Sequence, residues 1–243
     1  MKVFISVLMF GIVISSAAQN EKKEKWHDKK ENFLPSVTRS IGASFQQFNG
    51  LNARVAAIPQ YKQLKDHAFT LGLGWMKEQQ QVVTAGNIYL GSSMSGHHDE
   101  ESSTVHYLGL DANIGYNVIK STMVSLYPFG GLGFQFYRAI FFRDNSQVNF
   151  DNVLQSPVVQ NSISAVRFNN AFFIYRAGIG VAFKSPEHPS NSIGIQAGYT
   201  GSFNKRAWRS NEGQQLANAP EDRVSQFFVS LVLTSKPWMM MRK

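Results

Sequence analysis

The stretch Leu108–Val118, LGLDANIGYNV, alternates without a break. Leu108, Leu110, Ala112, Ile114, Tyr116 and Val118 form a wholly apolar set, and Gly109, Asp111, Asn113, Gly115 and Asn117 form a small or polar one. Successive side chains of a strand point to opposite faces, so this segment divides an oily side from a polar side, and no helical period fits it. The same division recurs in Phe69, Leu71, Leu73 and Trp75 against Thr70, Gly72 and Gly74, and in Ile193, Ile195, Ala197 and Tyr199 against Gly194, Gln196, Gly198 and Thr200. In Phe173, Tyr175, Ala177, Ile179, Val181 and Phe183 the apolar set opposes Arg176, Gly178, Gly180 and Ala182.

Extending outward from these runs, the pattern predicts eight strands over 37–48, 66–77, 82–92, 104–118, 122–141, 169–184, 192–203 and 223–235. Most reach the ~9–11 residues that a tilted strand needs to cross a bilayer. An even number lets an up-and-down antiparallel barrel close with both termini on one side. The connections alternate in length. Those over 49–65, 93–103, 142–168 and 204–222 are long, and those over 78–81, 119–121 and 185–191 are short. Outer-membrane barrels have long external loops and short periplasmic turns, whereas a soluble barrel or sandwich has no reason to alternate so. Volume then assigns the faces. Eight strands enclose an interior barely wide enough for side chains, which suits the Gly, Ser, Asn and Gln set, while the Leu, Ile, Phe and Tyr set suits lipid. The expected fold is all-β: an eight-stranded antiparallel up-and-down transmembrane β-barrel over 37–235.

Composition agrees with strands more than helices. The 243 residues include 19 Gly, 19 Phe and 8 Tyr but no Cys, and only 16% are charged. The mean hydropathy of -0.20 excludes a bundle of membrane helices. At the N-terminus, Lys2, the apolar run Val3–Ile14 and the small residues Ser15–Ala18 read as a signal peptide over 1–18, cut after Ala18. A charged periplasmic tail over 19–36 and a C-terminal periplasmic tail over 236–243 flank the barrel. The formal charge of +8 is concentrated partly in Glu21–Lys30, where acids and bases mix as in a solvated tail. No groove pattern or fold for nucleic acid is evident, and an exported chain would seldom meet one.

Three stretches carry a resemblance: SFQQFNGLNARVAAIPQYKQLKDHAFTLGLGW (Ser44–Trp75), GLDANIGYNVI (Gly109–Ile119) and LYPFGGLGFQFY (Leu126–Tyr137). On them the chain resembles the eight-stranded outer-membrane β-barrels of Gram-negative bacteria, and more narrowly the "outer membrane protein β-barrel domain" proteins of Bacteroidetes. The resemblance implies the cell outer membrane, contact with its lipids and lipopolysaccharide, and protein partners at external loops or periplasmic tails. One departure stands out: Lys236–Lys243 continues beyond the last strand, where many such barrels end on an aromatic residue.

Within this frame, Asp111 and Arg176 both take the inward parity near mid-strand and form the candidate lumen salt bridge, since a buried charge requires a partner. Trp75, Tyr116, Phe173 and Phe203 take the outward parity near strand ends and are candidate interface aromatics. Leu51, Val55 and Ile58 make an i, i+4, i+7 stripe ahead of Pro59, predicting a short helix in the first external loop that packs on the barrel mouth. The His97–Glu101 cluster has donor types for a divalent metal, but consecutive residues cannot converge on one ion, so no metal or cofactor is expected. A lipid acyl hydrolase needs a Ser beside a His with an acid behind it. His106 on the lipid-facing side and the pair His188 and Ser190 are the only candidates, and neither carries that set. The expectation is a non-enzymatic barrel with a filled lumen and a structural or interaction role, such as that of an accessory subunit of an envelope complex. The alternatives are a lipid-modifying enzyme of acyl hydrolase type and, below it, a small pore.

Overall fold

The computed structural model describes residues 35–96, 101–186 and 191–236. Residues 1–34, assigned above to the leader and charged tail, lie outside the described residues, as do His97–Glu100, His188–Ser190 and residues 237–243. In chain order the elements are β1 Ser36–Gln46, α1 Asn49–Ala56, β2 His67–Gln79, β3 Val82–Ser95, β4 Ser102–Tyr116, β5 Val124–Phe142, α2 Phe150–Gln155, α3 Pro157–Ile163, β6 Val166–Lys184 and β7 Ser192–Ser202. Three short strands follow, β8 Arg206–Ala207, β9 Arg209–Ser210 and β10 Glu221–Asp222, before the last long strand, β11 Ser225–Ser235.

Each long strand pairs antiparallel with its sequence neighbour, and β11 returns to β1 from Val37↔Ser235 through Gln46↔Gln226. The eight long strands thus form a closed up-and-down β-barrel, and closure leaves no unpaired sheet edge around its girth. The predicted third strand, 82–92, runs on to Ser95, and the sixth begins at Val166. β5 and β6 are each 19 residues long and stay paired from Val124↔Phe183 to Phe141↔Val166. β4 accompanies β5 to its end at Ser102↔Phe142, whereas β6 runs beyond β7, whose pairing stops at Ile174↔Ser202. The β2–β3 connection is two residues, Gln80 and Gln81, both with positive φ (51° and 70°). That is the backbone twist a tight hairpin demands, adopted here without the glycine that usually relieves it.

Side-chain parity runs through the whole barrel. Leu73, Ile88, Ile114, Leu132, Ile179, Ile195 and Leu231 stand exposed on the outside, whereas Thr38, Ser44, Asp111, Gln135, Thr200 and Ser230 are buried inside. A continuous exposed apolar belt on this scale is lipid-facing surface; in water it would drive aggregation. Among the described residues no helix is long and apolar enough to cross a membrane.

Substituting Leu231→Arg in the centre of β11 puts a charge against the hydrocarbon core and is expected to lower folding stability by about 2–4 kcal/mol. Urea titration of the chain refolded in lipid vesicles checks this; an unchanged midpoint would mean that the outer face does not meet lipid.

Candidate functional site

The interior is built in tiers. Near its middle, Arg176 Nη1 on β6 donates to Asp111 Oδ2 on β4 at 2.6 Å, with both side chains nearly out of solvent. Asp111 Oδ1 also accepts from Asn87 Nδ2 at 2.7 Å and from Asn113 Nδ2, so the carboxylate has partners on both oxygens. The guanidinium lies over the Phe228 ring at 3.8 Å and the Tyr89 ring at 5.1 Å, where the ring faces attract a cation. Such a pair is tolerated in a narrow interior because every charge is met at close range.

A second tier sits toward the end with the long connections. Gln135 Nε2 donates to Tyr89 Oη at 3.1 Å and to Gln226 Oε1 at 3.0 Å, and Gln226 Nε2 donates to Tyr107 Oη at 2.9 Å. The Tyr137 hydroxyl donates to Gln135 Oε1 at 2.9 Å, and Ser44 and Tyr107 share a hydrogen bond of 2.8 Å. Among these side chains lies a cavity of about 40 Å³, room for a few waters.

The interior is more aromatic than the alternation suggested. Tyr89, Tyr107 and Tyr127 all point inward and are buried, contrary to the expectation that aromatic residues would crowd a narrow lumen and face lipid. Glycine makes the room. Tyr89 pairs with Gly109 and Tyr107 with Gly91 across β3 and β4, and a Cβ at either glycine would lie 2.1 Å from the facing ring. Tyr127 opposite Gly180 repeats the device. On the outer face the same rule places the Trp75 ring over Gly86 and packs Tyr175 beside Gly201.

The mouth at the long-connection end is covered. Leu51 and Val55 of α1 are buried in a cluster with Phe48, Phe141, Phe172 and Trp208. The helix ends at Ala56, short of Ile58, which is exposed on the following turn; the predicted stripe therefore has two buried members and not three. Phe48 supplies no side-chain cap to α1. The cap comes from Asp222 in the last loop, whose Oδ1 accepts from Gly50 N at 2.7 Å and whose Oδ2 accepts from Leu51 N at 3.0 Å and from Trp208 Nε1 at 2.7 Å. One buried carboxylate thus ties the first loop, the last loop and the indole into a single lid. Nothing in the local sequence of α1 announced it, because the partner is 171 residues away.

The predicted interface aromatics are all on the outer surface. Trp75 and Tyr116 lie at the short-turn ends of β2 and β4. Phe173 and Phe203 stack at 5.2 Å with ring planes 18° apart, and Tyr175 meets Phe203 edge-on. In the third long connection Asp144 Oδ1 accepts the Ser146 N–H at 2.8 Å, which holds its carboxyl below the ordinary range, so this exposed loop keeps its negative charge.

His106 is outward and exposed on β4, paired with Ser92 on β3 and Arg138 on β5. Sequence spacing could not show that strand pairing brings a serine beside this histidine. Among the described residues no hydrogen bond joins the two, and the neighbour on the far side is a cation where a triad would need an acid. No group of three metal-ligating side chains occurs among the described residues.

No protein-family model matches the chain, and no curated protein matches it by sequence. Solved structures do. Ail, the attachment invasion locus protein of Yersinia pestis, is 15% identical, with 82% of this chain and 97% of Ail covered at a TM-score of 0.47. Neisserial surface protein A is 10% identical, covering 84% and 97% at 0.47. A major outer membrane protein from Thermus thermophilus is 11% identical, covering 82% and 98% at 0.49. Each is a distant likeness; the transmembrane barrel fold itself stands on the strand pairing and the exposed apolar belt.

Asp111→Asn leaves the Arg176 cation buried without its counter-charge and is expected to cost about 3–5 kcal/mol, whereas Asp111→Leu combined with Arg176→Met recovers most of that loss. Unfolding titrations of the three proteins in micelles check the order; equal losses in single and double variants would contradict a paired internal charge. Asp222→Ala is expected to loosen the lid by about 2 kcal/mol, seen as faster amide exchange in 47–66 with the barrel strands unchanged.

Proposed function

We propose that the chain is an outer-membrane β-barrel with no catalytic role, whose filled lumen acts as a rigid post and whose long connections present an interaction surface, as an accessory subunit of an envelope complex would. The observation that carries this reading is the contrast between a closed interior and an open tip. Buried side-chain networks fill the lumen and the mouth is covered, yet α2 and α3 expose Phe150 at 73%, Leu154 at 65% and Val158 at 77%. Large apolar side chains left this bare, on short helices above the barrel, suit burial against another protein. Export by a leader over 1–18, a periplasmic position for both termini with the long connections outside, and membership of the Bacteroidetes type of barrel belong to the same proposal.

A second reading, a lipid-modifying hydrolase, draws its one support from Ser92 beside His106 on the lipid-facing side. The missing acid and the adjacent Arg138 weigh against it.

Purification from solubilised outer membranes under mild conditions tests the first reading. The unaltered protein is expected to carry a stoichiometric partner that is lost on changing Phe150, Leu154 and Val158 to Ser together, with no single-channel conductance in planar bilayers. Recovery of the unaltered protein alone would count against a subunit role, and steady conductance steps would overturn the filled lumen. His106→Ala is expected to leave the acylation pattern of outer-membrane lipid unchanged; a change would favour the hydrolase.

A further inference from the structure

The lid over the barrel mouth is not packed solid. Where α1, the turn after it, the last loop and the mouth ends of β5 and β6 meet, they leave an apolar pocket of about 130 Å³. Leu51, Val55, Phe141 and Trp208 make its floor, each at most 6% exposed. Tyr61 and Phe168 flank it, and Ile58 and Leu216 stand at its edge, 41% and 40% exposed. The isoleucine that leaves the helical stripe thus borders a second apolar surface.

The pocket offers water little to bind. Trp208 Nε1 is taken by Asp222 at 2.7 Å, and Tyr61 Oη accepts from Arg143 Nε at 2.9 Å. Apart from Arg54, the remaining walls carry no polar side chain. A buried water needs about two to four polar partners, so a space of this kind stays dry. The walls are also held in place. Asp222 ties α1 to Trp208, Trp208 N donates to the Pro220 carbonyl at 3.1 Å, and Asn52 exchanges two hydrogen bonds with Leu64 at 2.9 and 3.0 Å, which fastens the turn after α1. A dry, preformed apolar space is the usual form of a small-molecule site.

Its size and its rim narrow the guest. An apolar cavity of about 150 Å³ takes up benzene, so this one limits the guest to about six or seven carbons. Four walls are aromatic and can meet a ring edge-on or offset, whereas a flexible chain would lose rotamer freedom on entering. Arg54, in the last turn of α1, borders the pocket from an exposed position, and the Arg143 guanidinium lies over Tyr61 at 5.4 Å from the ring centroid. Among the described residues neither cation forms an ion pair, and no carboxylate lines the pocket. A guanidinium fork pairs with a carboxylate through two parallel N–H donors.

We propose that this pocket binds a small monocyclic aromatic carboxylate, with its ring among Tyr61, Phe141, Phe168 and Trp208 and its carboxylate at Arg54 and Arg143. The site goes beyond a subunit role. It makes the lid a receptor for a small soluble acid, with the lumen closed beneath it by Gln135 and Tyr137.

Equilibrium dialysis of labelled phenylacetate against the full chain in phosphatidylcholine nanodiscs, corrected for empty discs, tests this. Saturable uptake of one molecule per chain is expected. Binding should be about tenfold tighter than for benzyl alcohol, which keeps the ring without the charge, or hexanoate, which keeps the charge without the ring. The variant R54Q/R143Q is expected to lose about tenfold for phenylacetate and nothing for benzyl alcohol, whereas the charge-matched K65Q/K120Q is expected to match the unaltered chain. Ala219→Leu, which fills the pocket, is expected to abolish binding of both. Cold and heated gel mobility shows whether each variant is folded, and the ligand series on the unaltered chain decides the matter without any variant. Uptake no greater than that of empty discs overturns the site, as does undiminished binding by folded Ala219→Leu. Hexanoate bound as tightly as phenylacetate overturns the aromatic class; benzyl alcohol bound as tightly, or an equal loss in K65Q/K120Q, overturns the carboxylate at Arg54 and Arg143. The subunit role survives each of these failures, because Phe150, Leu154 and Val158 line no part of the pocket.

Discussion

Within hydrocarbon a backbone N–H or C=O has no water to turn to, and each one left unpaired costs several kcal/mol. The pairing of β1 with β11 answers that constraint, because it converts an eight-stranded sheet with two open edges into a cylinder with none. Much else follows from it. Closure at eight strands fixes the bore, and the bore fixes which side chains can sit inside. It also forces alternate residues of every strand outward, where the bilayer accepts Leu, Ile, Val and Phe that water would not.

A bore this narrow must be filled, and the filling limits the function. Tyrosine opposite glycine fits a large ring into a space that two ordinary side chains would overfill. The Asp111–Arg176 pair and the hydrogen-bonded glutamine and tyrosine network occupy the passage, so little space remains for an ion path. The lid above, tied by Asp222, extends the same rigidity beyond the bilayer. A post of this kind has its free chemistry at the surface, on the loops over the mouth.

The alternation in Leu108–Val118 was enough to place Asp111 inward and Tyr116 outward, and the same parity placed Arg176 in the lumen, because a closed barrel makes sidedness a matter of counting. Strand extents came within a few residues for the same reason. Parity carries no information on which strand faces which register, so the Tyr89–Gly109 and Tyr107–Gly91 partnerships, and the proximity of Ser92 to His106, were illegible. Asp222 escaped because capping is usually local and its helix lies at the other end of the chain. Ile58 differs from the expectation because the apolar stripe outlasts the helix: Ala57 closes α1, and Ile58 does not join Leu51 and Val55 in the buried cluster.

The absence of cysteine allows the embedded belt to be tested directly, because one introduced Cys is the only labelling site. An environment-sensitive fluorophore at Leu132→Cys, in vesicles containing lipids brominated along the acyl chain, is expected to emit in the blue and to be strongly quenched. The same label at Phe150→Cys should emit as in water, without quenching. Water-like, unquenched emission from Leu132→Cys would contradict a barrel whose apolar face lies in lipid.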